Sequence, residues 1–469
     1  MNDVTKVLLV IPPTYEDIYG SSFIKSGINP AYMVLSYAAI SGSLKEEKYK
    51  VRLIDLNASR SPKSDYIRLI NDFEPDFIGF NITTPIFNKV DEYAKYTKEE
   101  LHNSVLIAGG PHVSVMPEGI LRNSCFDIAV VGEGDYSFRR IVDRDNLKDI
   151  PGIAYLDSGE YKQNINSLIK NLDDLPFPYM ELYDPQIYIH PNSVSRRNPV
   201  ASMETSRGCF GRCVFCNKSV FGAKLRLKSV DRVIEEMKYI LSLGYNELHL
   251  VDDLFTASLT RAKKICERII NERLNMSWMP RGGIRVDVVD QELLYLFKRA
   301  GVWRVAFGIE SGSQKVLNES NKMITLSQVN KAVRMARKAG LETEGYFMLG
   351  LPGETEETLK ETMKYAKSLR LDFAKFAVTI PLPGTSMFDK WDSMGAIKTK
   401  DWSKYTFSTK TRDLYDHPTV SWSIIDRYFE SSHRNFYLRP SYILERLYKS
   451  TLSGQLLNDV RAFFSIKWF

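Results

Sequence analysis

The sequence predicts an α/β protein in three parts: a doubly wound parallel sheet, a partial β/α barrel and a small helical cap. Three patterns carry this reading. Short apolar runs alternate with helix-like stretches over about the first 140 residues, a second alternation runs from near Val200 to about Pro383, and roughly the last 70 residues are helix-like and rich in aromatics. The expected boundaries are 1–145 for the sheet domain, 146–199 for a connector, 200–390 for the barrel and 391–469 for the cap.

In the first part the runs are KVLLVIPP from Lys6, VRLIDL from Val51, FIGFN from Phe77, VLIAGG from Val105 and IAVVGEG from Ile128. They are short and rich in Val and Ile, with helical spacing between them, as in MVLSYAAISGSLK. Strands of this kind pair in parallel, covered on both faces, with the ligand crevice beyond their carboxyl ends. Two of those ends are glycine-rich: Gly109, Gly110, Pro111 and His112, then Gly132, Glu133 and Gly134. Glycine there lets backbone approach a flat or phosphate-bearing ligand, or simply closes a tight turn. The connector holds a hairpin, GIAYLDSGEYKQN, and DDLPFPY, which two prolines keep extended.

The barrel strands read as ASMETS, ELHLVDD, RVAFGIE, TEGYFMLG and FAKFAVTIPL. Between them lie helices such as VDRVIEEMKYILSLG, stopped at Gly244. Barrel chemistry sits at the C-terminal ends of the strands. In the cap, aromatics including Trp402, Tyr405, Phe407, Trp422, Phe436, Phe463, Phe464 and Trp468 read as the core of a helical subdomain. The alternatives are a wall of the active site or a contact with a membrane surface.

Composition narrows the function. The 469 residues allow about three domains at roughly 150 residues each. An aromatic content of 12% excludes a disordered chain, and 27 glycines with 20 prolines exclude a collagen-like one. The net charge of +6 is too mild to argue for a nucleic-acid partner. No apolar run reaches the roughly 18 residues that a membrane helix needs. MNDVTKVLLVIPP reads as a buried strand and not a signal peptide, so the expected compartment is the cytoplasm.

Five cysteines are too few for a disulfide framework, and three of them crowd together as Cys209-x-x-x-Cys213-x-x-Cys216. Three soft thiolates on one loop suit an iron–sulfur cluster, zinc or copper(I). Closed zinc needs a fourth ligand, for which His190 is a candidate, since Cys125 and Cys266 lie far off. A cubic four-iron cluster on three cysteines leaves one iron open. His249, in LHLVDD, reads as a structural histidine.

The C-x-x-x-C-x-x-C spacing after a first barrel strand, with Phe215 between the last two cysteines, resembles the radical S-adenosylmethionine superfamily. The resemblance implies a TIM-type (β/α)6 barrel with a [4Fe-4S] cluster on Cys209, Cys213 and Cys216. It also implies reductive cleavage of S-adenosylmethionine to a 5′-deoxyadenosyl radical. It assigns S-adenosylmethionine contacts to Asp252 and Asp253 in LHLVDDLFT, Arg285 in GGIRVD, Glu310 and Ser311 in FGIESGS, and Gly350 in GYFMLGLPGET. Arg226 and Lys228, in LRLKS, are further candidates for anionic cofactor groups.

GGPHVS, VVGEGD and DDLPFPY resemble the cobalamin-binding class of that superfamily. The first domain is then Rossmann-like and of cobalamin-binding type. Cobalamin would meet Thr83, Gly109, Gly110, His112, Gly132, Glu133 and Gly134. The Asp-x-His-x-x-Gly motif that ligates cobalt from below is replaced here by Asp55-Leu56-Asn57-Ala58-Ser59-Arg60, so a histidine ligand from it is not expected. The implied reaction is cobalamin-dependent methylation of an unactivated carbon, with radical cyclisation, dehydration or rearrangement as the alternative. A non-catalytic cobalamin or redox sensor is a third reading. The implied partners are a small electron-donor protein, such as a flavodoxin or ferredoxin, and a small-molecule substrate. A basic tail with Arg434, Arg439, Arg446, Lys449, Arg461 and Lys467, followed to the end of the chain by aromatics, allows a lipid substrate or peripheral membrane contact.

Overall fold

The computed structural model of the protein describes residues 4–15, 18, 32–406 and 409–452. The five predicted runs form β1 (Thr5–Ile11), β2 (Tyr49–Asp55), β3 (Phe77–Asn81), β4 (Val105–Gly109) and β5 (Ile128–Val130). They are parallel, in the order β2-β1-β3-β4-β5. The connector's hairpin, β6 (Ile153–Asp157) and β7 (Glu160–Gln163), continues this sheet in antiparallel sense past β5.

Strand alternation splits the side chains between two cores. Leu8, Val10, Ile78, Phe80 and Leu106 pack under helices Pro62–Phe73 and Phe87–Glu100. Val7, Leu9, Phe77, Ile107 and Val130 face the other way, into a core that runs without a break into the barrel. The two domains therefore share apolar burial rather than a linker.

The barrel strands are β8 (Val200–Met203), β11 (Glu247–Leu250), β12 (Ser277–Pro280), β13 (Arg304–Glu310), β14 (Glu342–Leu349) and β15 (Phe373–Val378). The short pair β9 (Ser206–Arg207) and β10 (Arg226–Leu227) brackets the cysteine loop. Parallel bridges Trp278–Val302 and Ile284–Phe307 join the two three-stranded groups into a run of six. Strand β12 is absent from the sequence reading. It is only four residues long and ends in proline, too short for its period to register.

The C-terminal segment does two jobs. Helices Trp422–Tyr437 and Pro440–Leu452 wall the outside of the last strands. The Tyr437 hydroxyl accepts from Ala374 N and donates to Ala374 O, both at 2.9 Å, and Phe376 meets Phe436. Before them, Phe388, Trp391, Tyr405 and Tyr415 form a separate aromatic core that packs Val214 and Phe215 of the cysteine loop. Trp402 then touches the first domain, with its ring edge-on to His112 at 5.5 Å. Among the described basic residues of the tail, Lys449 pairs with Asp372 and Arg439 donates to Phe436 O. Phe407, Arg461, Phe463, Phe464, Lys467 and Trp468 lie outside the described residues. Among the described residues no helix is long and apolar enough to cross a membrane.

Trp391 is 2% exposed at the centre of that second core. Trp391→Ala is expected to lower stability by about 3–5 kcal/mol, read as a lower urea midpoint in far-ultraviolet circular dichroism.

Candidate functional site

The three cysteines lie on the loop between β9 and β10. Gly208 opens it at φ +83°, where a Cβ would fall 2.4 Å from Lys224 O, so only glycine fits. Its N–H donates to Asp253 Oδ2 at 3.0 Å. Lys218 Nζ reaches back to Cys209 O at 2.8 Å and also to Gly211 O. Val214 N donates to Ser320 O at 3.1 Å. At Gly211 a Cβ would stand 3.4 Å from Cys209 Sγ, 4.0 Å from Cys213 Sγ and 3.3 Å from Arg285 Nη1. Two sulfurs and a guanidinium thus converge around a position kept bare.

Cys209 and Cys213 are half-buried and Cys216 is exposed. A hydrogen bond from Cys216 pulls the Cys213 thiol down to about 6; burial opposes this, and Lys322 and Arg285 add to it. The same hydrogen bond, together with burial, pushes the Cys216 thiol up, so the pair holds one proton between them. Among the described residues no three Cys, His, Asp or Glu side chains gather on a single ion. A cluster that takes one thiolate per iron does not require them to. His190 packs against Tyr32 at 5.1 Å and His249 at 5.7 Å, within the barrel.

Of the residues expected to meet S-adenosylmethionine, Arg285 and Glu310 stand beside the loop. Arg285 pairs with Asp287 at 2.8 Å. Glu310 follows a register shift in β13, at φ +65°, a strained setting for a residue with a Cβ. Its carboxylate pairs with Lys322 at 2.7 Å, and both charges act on Cys213 and Cys216. Asp253 is exposed and faces the cavity described below.

The other residues assigned to S-adenosylmethionine sit in different surroundings. Asp252 is 3% exposed, and its carboxylate accepts from Thr205 N, Thr205 Oγ1 and Ser206 Oγ at 2.6–2.7 Å, so it shapes the turn leading to the cysteines. Ser311 is fully buried against Thr362. Gly350 lies in a turn capped by Glu354, whose Oε2 accepts from Gly350 N at 2.8 Å. Arg226 pairs with Glu133 at 2.6 Å and Lys228 with Glu236 at 2.7 Å, so both cations are already matched.

A cavity of ≈ 470 Å³ separates the carboxyl ends of β3, β4 and β5 from the barrel. Ile40, Ile107, Val130 and Phe138 wall one side, and Val220 and Phe221 of the cysteine loop the other. Its lining includes Gly109, Gly110, Gly132, Glu133 and Gly134. These glycines differ in purpose. A Cβ on Gly110 would strike Asn81 Oδ1 at 2.8 Å, and one on Gly132 would strike Asn166 Nδ2, so both serve tight loop packing. On Gly109 it would meet nothing closer than 3.8 Å, which leaves a bare strip of wall for a flat ligand.

Thr83 and His112 do not line this cavity. His112 is 2% exposed, its Nδ1 3.2 Å from Thr84 Oγ1, and burial pushes its pKa down to about 4, so it is a packed structural histidine. Asn57 uses its amide to hold the loop after β1, accepting from Thr14 N and Tyr15 N and donating to Pro12 O. It is not available to cobalt. Apolar walls, a bare strand end and the lack of a histidine below fit cobalamin held without a ligand from that motif.

The cavity floor is an ion network that sequence reasoning missed. Arg207 is 3% exposed. It donates to Glu133 Oε1 at 2.8 Å, to both oxygens of Asp135 at 2.8 and 3.0 Å, and to Glu204 at 2.7 Å. Glu133 is closed off by Arg226 and by Ile169 N, so it ties domains together and is not free for a ligand. Burial works against ionised Asp135, yet Arg207 holds its pKa below the ordinary value. Lys322 and Lys218 were also missed, because each works through the fold and neither belongs to a spacing pattern.

Arg207→Leu strands Asp135 and Glu204 and leaves Glu133 to Arg226 and Ile169 N. It is expected to cost at least about 3–5 kcal/mol, measured as a lower urea midpoint. Glu354 is fully buried, and burial lifts its pKa to about 7 despite the N–H groups it accepts from. A raised folded pKa stabilises below the unfolded value of about 4.5 and is lost as pH rises through 7. Glu354→Gln is therefore expected to remove a fall in stability on the order of 3 kcal/mol between pH 4.5 and 8, read from unfolding midpoints across that range.

Residues 203–366 match the family model for the radical SAM superfamily, and residues 32–142 match the B12 binding domain. An uncharacterized methyltransferase of Pyrococcus horikoshii is 34% identical over 454 residues, covering 95% of each chain. The anaerobic magnesium-protoporphyrin IX monomethyl ester cyclase of Cereibacter sphaeroides is 27% identical, over 86% of this chain and 66% of its own. Among solved structures, the cobalamin-dependent S-adenosylmethionine radical enzyme OxsB, with aqua-cobalamin and S-adenosylmethionine bound, superposes with a TM-score of 0.74. The match covers 97% of this chain and 71% of that one at 19% identity, and shows a common fold. The chain belongs to the radical S-adenosylmethionine superfamily, in its class with a B12-binding domain, and its cofactors are a [4Fe-4S] cluster, S-adenosylmethionine and cobalamin.

Proposed function

We propose that the protein methylates an unactivated carbon of a small-molecule or lipid substrate. It does so in the cytoplasm under anaerobic conditions, fed with electrons by a small donor protein such as a flavodoxin or ferredoxin. One observation carries the reading: a single cavity is walled by the cobalamin-type strand ends and by both limbs of the cysteine loop, Arg207 on one side and Asn217, Lys218, Val220 and Phe221 on the other. When bound, the cluster and S-adenosylmethionine supply radical chemistry and cobalamin supplies a methyl group.

The chain's own residues orient and isolate. Lys218 and Gly208 fix the loop. Arg285 and Lys322 place positive charge beside the thiolates. The apolar cavity walls exclude water from the space between the two cofactor sites. The relative of Pyrococcus horikoshii is named a methyltransferase, which supports methyl transfer. The likeness to the anaerobic ester cyclase keeps radical cyclisation as the second reading.

The test is anaerobic reconstitution with iron, sulfide and cobalamin, followed by turnover with methyl-labelled S-adenosylmethionine and a chemical reductant. Label in the product, with 5′-deoxyadenosine and S-adenosylhomocysteine formed together, is the expected result. Product without label, alongside 5′-deoxyadenosine, selects cyclisation. Absence of 5′-deoxyadenosine overturns both. Replacing Cys209, Cys213 and Cys216 together with alanine is expected to abolish sulfide uptake and 5′-deoxyadenosine formation.

A further inference from the structure

Strand alternation fixes which side chains enter the barrel. Leu248, Leu250 and Trp278 belong to the core under the outer helices. His249 and Met279, paired in register between them, therefore point inward, and Arg281 continues that row two residues on. Arg281 is half-buried. Its guanidinium lies 4.0 Å from the centre of the Tyr32 ring, and Nη1 lies 3.1 Å from His249 Nδ1. The other ring nitrogen of His249 is 3.0 Å from Glu247 Oε1, which makes Nε2 the N–H and Nδ1 the acceptor. Burial holds the pKa of His249 below its ordinary value, so the imidazole is neutral and leaves the charge of Arg281 unbalanced.

The buried arginines among the described residues are matched. Arg207, Arg226, Arg285 and Arg304 each meet a carboxylate, and Arg261 donates to the carbonyls of Lys228 and Thr205. Among the described residues Arg281 has neither a carboxylate nor any other oxygen acceptor. The opposite wall does not supply one. There Tyr346 pairs in register with Gly308 and with Lys375. Glu344 is taken up by Lys375 at 2.9 Å, with Arg304 at 3.8 Å. The Lys375 side chain is 67% exposed although its strand register turns it inward, so the lumen is open at this level.

A half-buried guanidinium that meets no anion keeps its remaining N–H groups open to a ligand, and its planar fork is shaped to take two oxygens at once. We propose that Arg281 binds an oxyanion of the substrate, a carboxylate or phosphate, inside the barrel. This deepens the reading above, in which the barrel holds the substrate. Arg285, four residues on, stands at the cysteine loop. An anchor at Arg281 therefore holds the charged end of the substrate deeper in the barrel and presents the rest toward the cluster.

The reconstituted holoenzyme tests this with phenylglyoxal, which modifies free guanidinium groups, scored at Arg281 by peptide mass spectrometry. With S-adenosylmethionine saturating, inorganic phosphate or acetate is expected to slow modification of Arg281 several-fold, and the better protector identifies the class of anion. Modification unchanged by either anion overturns the proposal. So does full protection by S-adenosylmethionine alone, since the oxyanion would then be the cofactor's own carboxylate. Calorimetry with phosphate on Arg281→Gln is expected to show binding lost, with Arg281→Lys restoring part of it; retained binding in Arg281→Gln overturns the site. If Arg281→Gln does not fold, labelling of the unaltered protein still decides. Protection without 5′-deoxyadenosine formation would sink the methylase reading and leave the anion site standing.

Discussion

A guanidinium taken out of water needs acceptors for its N–H groups, and Arg207 finds three carboxylates in two domains. Glu133 and Asp135 come from the end of β5, and Glu204 from the barrel, three residues before Arg207 itself. Cys209 follows two residues later. The position of the cysteine loop is therefore referred to the cobalamin-type sheet through a charge network that has no cheap alternative arrangement. Arg226, on the far side of the loop, closes the same network on Glu133. The cavity is framed by these contacts, which explains why polar groups on its floor are already matched while its walls are apolar.

Of the residues that family likeness points to at strand ends, Asp252, Ser311, Glu133, Glu310 and Arg285 are buried and divide by what they stand beside. Asp252, Ser311 and Glu133 are withdrawn from solvent, and their polar atoms are satisfied by neighbouring backbone and side chains. Short polar side chains at strand ends commonly end this way, because the turns there leave N–H groups in need of acceptors. Glu310 and Arg285 differ. Their charges stand beside the thiols, and Glu310 is held in a backbone conformation that only a constraining fold maintains.

The C-terminal region links parts more than it caps them. Its aromatic core grips Val214 and Phe215 from one side, and Trp402 reaches His112 in the first domain. Helix Trp422–Tyr437 shields the outer face of β15. Burial of aromatic area, a large apolar contribution per residue, thus holds the cysteine loop on one side and ties the region to the first domain and the last strand.

Sequence alone determined the order of the layers, the five parallel strands, most of the barrel and the cysteine loop. Each of these rests on periods or spacings within a few residues, which a linear chain displays directly. Asn57 in place of a histidine is legible for the same reason. Tertiary structure decided which charges are free. Arg207 and Asp135 stand 72 residues apart, and Arg226 and Glu133 stand 93 apart. No local pattern announces such pairs, because they depend on how two domains pack across a shared core. The same holds for Arg281: its charge is visible in the sequence, but its lack of an oxygen partner exists only once the barrel has closed around it.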